Sequence, residues 1–433
     1  MQLNLSKYIL PSVIAMVVVG TNTNIDGFFI GNILGDAGLA AINIVWPIVA
    51  FIVSVGTGIG IGGAVLFNCK RGGNQNHEAE SVKNTTLIFI VLVGILLSIL
   101  FPVCSKAFLI FMGATDSVLV YANSYAIVIG LGAVFQVVGA GVLVMLRNCG
   151  KTYCAMLYSF IGLAVHLILN LLLAERFQMM GVAAATVISQ AVISVMGIAS
   201  LKIDMSAKPD VRSITKIIRY ASAPFGLNFV PSLVLLFTNH FALEYGGVAA
   251  VSAYAVMSYA VYTFDYIFQG VCDGVQPIIS YCIGAKDRDG ERRAMKCAAF
   301  ILIVFSTVFC SLTPFLIKIM PGLFAVSEEA QNMMNTGFII YAFSYPGKAA
   351  AKYVCSYYYS CGNTRLSNLL VYLDPVVLTP VLLFVLSRAL GINGVWGAMT
   401  AAQLILAIIG IMIILKTQIY AIRRKEQNYE ENI

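Results

Sequence analysis

Residues 8–31 read YILPSVIAMVVVGTNTNIDGFFIG, twenty-four positions with a single charge, Asp26, and a polar run from Thr21 to Asn24 set among apolar side chains. A helix needs about 20 mainly apolar residues to cross a bilayer, and this stretch supplies them. One Lys precedes it and no small-residue cleavage site follows, so it reads as a retained first span rather than a signal peptide. The rest of the chain has the same character. Of 433 residues, 59% are hydrophobic and only 11% charged, with a mean hydropathy of +0.87. A soluble domain carries about 25% charged residues, so this chain lacks the polar surface to face water on all sides. Soluble enzymes, disordered chains, secreted disulfide scaffolds and nucleic-acid modules are excluded on that ground.

Apolar runs separated by Gly, Pro and charge clusters place spans at 8–31, 39–68, 84–104, 118–146, 153–174 and 180–201, then at 219–243, 248–283, 296–319, 331–360, 367–388 and 393–416. All are helical in this reading, because lipid accepts only helices or closed barrels and these runs are too long for barrel strands. The expected fold is an all-α, twelve-helix membrane protein. The formal charge of +7 is an orientation signal: with the N-terminus inside, 21 of the 27 Lys and Arg fall on the cytoplasmic side. Lys106, Arg176, Lys318 and Arg388 fall on the other, and Lys348 and Lys352 lie within a span. The positive-inside rule then puts both termini in the cytoplasm of a multi-pass cell-membrane protein. The ten Cys show no ligand or redox spacing and read as free thiols.

The two sets of six spans repeat each other. Gly35, Gly63 and Gly73 match Gly246, Gly274 and Gly284 at 211 residues; Asn148-Cys149-Gly150-Lys151-Thr152 matches Ser360-Cys361-Gly362-Asn363-Thr364 at 212; Gly181-Val182 and Gln190 match Gly394-Val395 and Gln403 at 213. Six spans is an even number, so the halves share one orientation and form parallel repeats. The expected organisation is a lobe at 1–201, a cytoplasmic linker at 202–218, a second lobe at 219–416 and a cytoplasmic tail at 417–433. Two such lobes around a midplane cleft are a transporter layout. A channel or a non-transporting membrane protein is the competing class. Gly58-Ile59-Gly60-Ile61-Gly62-Gly63 satisfies a dinucleotide pattern but lies inside an apolar span with no preceding strand, so close helix packing explains it.

At these residues the sequence resembles the multidrug and toxic compound extrusion (MATE) family. Asn24-Ile25-Asp26-Gly27-Phe28-Phe29-Ile30-Gly31, Leu39-Ala40-Ala41-Ile42, the Gly-rich 56–63 and Ala185-Thr186-Val187-Ile188-Ser189-Gln190 carry it in the first half. In the second half the carriers are Gln269-Gly270-Val271, Gly274-Val275-Gln276-Pro277-Ile278-Ile279-Ser280-Tyr281, Gly284-Ala285-Lys286 and Gly394-Val395-Trp396. The resemblance implies export of bulky, often cationic, lipophilic compounds in exchange for sodium ions or protons, with no other cofactor, no metal centre and no catalysis. A flippase for lipid-linked precursors is the neighbouring alternative. The expected partners are small organic substrates and the bilayer, with no nucleic acid, and the expected state is a monomer.

A charge within the bilayer is costly and is a functional candidate by default. Asp26 has no Lys or Arg in any first-half span, so it must take up a proton or bind a cation. Asn22 lies one turn before it. The resemblance places Asp26 on the family's first-helix acidic position. His166 and Asn170 stand where the family often has an Asn and an Asp, so the second carboxylate is missing and one carboxylate with a His suits protons better than sodium. Thr186 is a further ligand candidate. The second half holds Asp265, Asp273 and Asp374 with Lys348 and Lys352, which are expected to pair with one another. Asp265, Asp374, Lys348, Lys352, Gln269, Tyr353 and Met257 are the substrate-cleft candidates, the aromatic and Met side chains because they suit lipophilic cations.

Overall fold

In the computed structural model, which describes residues 5–114, 116–324 and 327–430, the described residues form helices and contain no strand. Eight helices are long and apolar enough to cross a membrane, and nine if the bent pair Val118–Leu131 and Ala133–Asn148 is one span. Two of these are double. Thr152–Ser200 leaves helical geometry at Gln178, and Arg212–Gly284 leaves it at Gly247. Counting across those breaks gives α1 Ser6–Gly35, α2 Ala37–Gly72, α3 Asn76–Phe111 and α4, bent by 58° after Leu131. Next come α5 (152–177), α6 (179–200), α7 (212–246), α8 (248–284) and α9 Arg288–Phe324. The last are α10 (Glu328–Ala342 and Ser344–Ser360), α11 (Thr364–Leu390) and α12 Ile392–Glu430. The total is the expected twelve. α10 is the most polar, with Lys348, Lys352 and six tyrosines.

The backbone itself repeats. Gly35 (φ 59°) and Gly247 (φ 63°) break the first hairpin of each half, Gly150 (φ 81°) and Gly362 (φ 71°) the turn before the fifth helix, and Gln178 (φ 49°) and Gly391 (φ 60°) the third hairpin. The hairpin breaks at Gly35 and Gly247 need positive φ, which a residue without a Cβ adopts at no steric cost. These pairs correct the register expected from the sequence: the first four helices repeat at 212 residues, not 211. The glycines come in tandem as Gly62-Gly63, Gly72-Gly73 and Gly246-Gly247, so either spacing satisfies the sequence. The step to 213 has a physical cause. α11 contains a π-turn, Asp374–Leu378, and a π-turn is how a helix absorbs one inserted residue.

The chain packs as two units, one of Met1–Leu233, Tyr262–Cys297 and Tyr359–Thr364, the other of Val234–Val261, Ala298–Tyr358 and Arg365–Ile433. In the first unit α2 meets α7, and α8 meets α1, along matched glycine faces. A Cβ on Gly62 would fall 2.4 Å from the Ile217 carbonyl oxygen, and its counterpart Gly274 would fall 2.6 Å from the Ile9 Cα. Gly72 and Gly284 repeat the pattern at the helix ends, 2.1 Å from the Tyr281 carbonyl oxygen and 2.0 Å from that of Cys69. Backbones therefore touch, which is how helices gain packing energy in lipid. Beside this seam Arg147 of α4 donates to Asp273 of α8 at 3.1 Å, with side chains 6% and 3% exposed, and Gln269 donates to the other carboxylate oxygen at 2.8 Å. Asp273 thus pairs with a first-half cation, not with Lys348 or Lys352 as expected; within one half of the sequence the juxtaposition is invisible.

The packing sets two expectations. Gly284→Val must displace backbone and is expected to lower the thermal midpoint by the equivalent of about 1–3 kcal/mol or more, whereas Gly397→Ala, with open space around its Cα, should leave it unchanged. Arg147→Gln strands a buried carboxylate and should cost about 3–5 kcal/mol; adding Asp273→Asn should restore much of that loss in the same thermal unfolding measurement.

Candidate functional site

Four helices of the first unit converge on Asp26. α1 supplies the carboxylate, 6% exposed, just after the polar run Thr21 to Asn24. α5 brings His166 and Asn170 on one face, four residues apart, both at 1% exposure or less. α6 folds back on α5 because Gly181 lies where a Cβ would be 2.3 Å from the Leu173 carbonyl oxygen, and this returns Thr186 to the level of His166. α4 contributes Tyr125, buried at 2% exposure.

The contacts form a closed polar knot. His166 Nε2 lies 2.8 Å from Asp26 Oδ1, and Asn170 Nδ2 donates to the same oxygen at 3.5 Å. Asp26 Oδ2 accepts from Tyr125 Oη and from Thr186 Oγ1, each at 3.1 Å. The Thr186 hydroxyl also reaches His166 Nε2 at 3.2 Å. A carboxylate in low dielectric is tolerable only when such donors replace water. Some capacity is left over: His166 Nδ1, Asn170 Oδ1 and Asn22 Oδ1 are buried without a hydrogen-bond partner. Asp26, Asn22, Tyr125, His166 and Thr186 line a cavity of about 160 Å³ that also touches Gln136, Gln190, Arg147 and Asp273. It runs along α4 from Gln136 to Arg147, about 16 Å of helix at 1.5 Å per residue.

The structure thus brings together Asp26, Asn22, His166, Asn170 and Thr186 as the sequence suggested, and adds Tyr125. Its only sequence signal was the polar run Asn123-Ser124-Tyr125 inside an apolar span. The side chains of Thr23 and Asn24 lie outside the described residues. The second repeat keeps the scaffold and drops the chemistry. The counterparts of Asp26, Tyr125, His166, Asn170 and Thr186 are Thr238, Gly337, Thr379, Leu383 and Met399. Thr238 Oγ1 meets Met399 Sδ at 3.1 Å, in the place of the Asp26 and Thr186 contact.

The cleft candidates of the second half are dispersed and none lines the cavity. Asp374 accepts from Thr379 Oγ1 at 2.6 Å and from Gln403 Nε2 at 2.7 Å, within the second unit. Lys348 and Lys352 are part-buried in that unit, and both they and Asp265 are engaged in polar contacts. Met257 is fully buried, its Sδ 2.5 Å from where a Gly337 Cβ would lie. Tyr353 packs on the cluster of Ala351, Val354, Tyr358, Leu370 and Leu406, and Gln269 serves Asp273.

Comparison with known proteins agrees with this architecture. The MatE family profile matches residues 11–172 and 225–385. The multidrug export protein MepA of Staphylococcus saprophyticus is 24% identical over 412 residues, covering 89% of this chain and 87% of that one. MepA of Staphylococcus aureus is 21% identical over 399 residues with the same coverage. Among solved structures, a MOP superfamily transporter from Pyrococcus furiosus, described as having a binding pocket of reverse polarity, superposes with a TM-score of 0.88 at 20% identity, covering 97% of this chain and 96% of that one. An outward-facing multidrug resistance MATE transporter gives 0.88 at 19% identity and the same coverage. Matched through both repeats, the chain belongs to the MatE family of multi-pass membrane transporters.

Proposed function

We propose that this protein is a proton-coupled antiporter that exports lipophilic, cationic organic compounds across the cell membrane, with Asp26 and His166 carrying the proton. The contact between His166 Nε2 and Asp26 Oδ1 at 2.8 Å is the observation that supports this most directly. A sodium site is built from convergent oxygen ligands. Here the carboxylate is instead ringed by a hydroxyl from Tyr125, a hydroxyl from Thr186, an amide from Asn170 and an imidazole. The three non-imidazole donors fill the lone pairs that a metal ion would need, while the imidazole is a group that can take up and release a proton. His166 Nδ1, buried and unpartnered, is the open end of the pair. Two of this chain's relatives are multidrug export proteins, which supports small organic compounds as the exported class.

The cycle follows from charge and volume. With one proton shared, the Asp26 and His166 pair is neutral and its donors hold α1, α4, α5 and α6 together. A second proton removes the carboxylate's charge and with it the reason for Tyr125 and Thr186 to point at Oδ2. The packing of the four helices then changes. A cavity of about 160 Å³ holds an ion and water; a drug-sized compound occupies about 300–1,000 Å³, so substrate enters only when the two lobes, 1–201 and 219–416, part. Both termini face the cytoplasm in this scheme, and the monomer is sufficient.

Everted vesicles loaded with a fluorescent organic cation test the reading. Transport should stop when the pH gradient alone is collapsed and persist when the sodium gradient is removed; the opposite result assigns the coupling to sodium. Asp26→Asn should lower transport by at least about tenfold, the factor that a loss of about 1.4 kcal/mol of coupling produces, with membrane expression unchanged. His166→Gln should flatten the pH dependence of transport. For orientation, alkaline phosphatase fused after Ile433 should be inactive, and activity would place that end outside.

A further inference from the structure

Where α2 ends, α3 begins, α4 turns into α5 and α6 ends, the first unit encloses a second cavity of about 280 Å³. Its walls carry Arg71, Lys83, Lys151 and Lys202 against one acid, Glu80. Two of the lysines are held in place, while Lys202 is exposed. Lys83, 6% exposed, binds Glu80 and donates to the Lys202 carbonyl at 2.7 Å, and Lys151 Nζ donates to the Ser200 carbonyl at 2.5 Å. Those two carbonyls neutralise no charge. Arg71 and Lys202 belong to none of the ion pairs among the described residues. Four cations are thus gathered around a space large enough for a ligand, with one counter-charge among them.

The fold does not require this. At the repeat positions of Arg71, Lys83 and Lys151 the second half has Ile283, Met295 and Asn363, on the same scaffold. α3 adds a favourable field, because its first turn reaches the cavity at Asn76 and no side chain caps its N–H groups. Like charges this close repel at low dielectric, and an anion between them turns that repulsion into attraction. We propose that this cavity binds a phosphate group, carried by an acidic phospholipid headgroup or by free phosphate. The Arg71 guanidinium matches two phosphate oxygens as a planar fork, and Lys83, Lys151 and Lys202 supply point charges around the remainder. A basic pocket at the ends of membrane helices is the arrangement that holds acidic headgroups.

The test uses the full-length protein in neutral detergent, with phosphatidylglycerol, phosphatidylcholine and inorganic phosphate as probes, read by native mass spectrometry and by thermal midpoint. Phosphatidylglycerol should stay bound and raise the midpoint over phosphatidylcholine. R71Q/K202Q should lose about 25-fold of that retention, at about fivefold for each cation. Lys151→Gln should lose part of it, and Arg388→Gln, whose guanidinium stacks on Phe384 in the other unit, none. Should inorganic phosphate alone raise the midpoint, with the same dependence on Arg71, the site stands and its ligand is soluble. Equal behaviour of all three probes, or retention in R71Q/K202Q equal to that of the unmodified protein, overturns the proposal.

Discussion

A carboxylate inside a bilayer must be supplied with donors by its own protein, and at Asp26 that requirement organises four helices. Tyr125, Thr186, Asn170 and His166 come from α4, α6 and α5, and each contact to the two carboxylate oxygens is also a contact between α1 and a neighbour. The knot is therefore a structural joint whose strength depends on protonation. Desolvation makes the charged form costly, and hydrogen bonds offset that cost only while they point at an anion. Chemistry and helix packing are coupled because they use the same four donors.

The internal repeat shows which features the scaffold needs and which it merely hosts. Both halves keep the positive-φ breaks, the glycine faces and the turn before the fifth helix. Only the first keeps ionisable groups at the site: Thr238, Thr379 and Met399 occupy the places of Asp26, His166 and Thr186 in the second. The second half instead buries Asp374 within the π-turn, one helix turn before Thr379, and satisfies it with Thr379 and Gln403. The inserted residue is absorbed in the π-turn, so the helix beyond it keeps the register of α5, and the halves differ through the side chains they carry there.

Spans, repeat and the Asp26 cluster were legible because each rests on a local signal: apolar length, glycine spacing, or a lone charge in an apolar helix. His166 and Thr186 were readable in that way although twenty residues separate them. What escaped the sequence was what depends on distant helices meeting. Tyr125 looks like any aromatic residue in a span until α4 is laid against α1. Arg147 stands at a helix end close in sequence to Lys151, and nothing local says that it turns inward to Asp273, 126 residues away. Met257 and Tyr353 carry the chemistry of a lipophilic site, but which neighbours they pack against, Gly337 for one and the Ala351, Val354 and Leu406 cluster for the other, is set by other helices. The one-residue error in register had the simplest cause, since tandem glycines accept two spacings and only the backbone angles choose.

The seam between α2 and α7 and between α8 and α1 combines bare backbone contact with packed aromatic rings. At Gly62, Gly270 and Gly274 backbone meets backbone, whereas Phe51 of α2 packs edge-on against Phe225 and Phe229 of α7 and the Tyr266 ring of α8 lies over Gly20 of α1. Dispersion acts along both kinds of contact, and a directional contact adds register to it. Arg147 and Asp273 supply that. A buried ion pair contributes little net stability, because the attraction it gains is offset by the water it gave up; once the seam parts and water enters, both charges are solvated again. Its loss is severe only when one partner is removed without water to replace it. A seam built this way is specific in geometry yet close to balanced in energy.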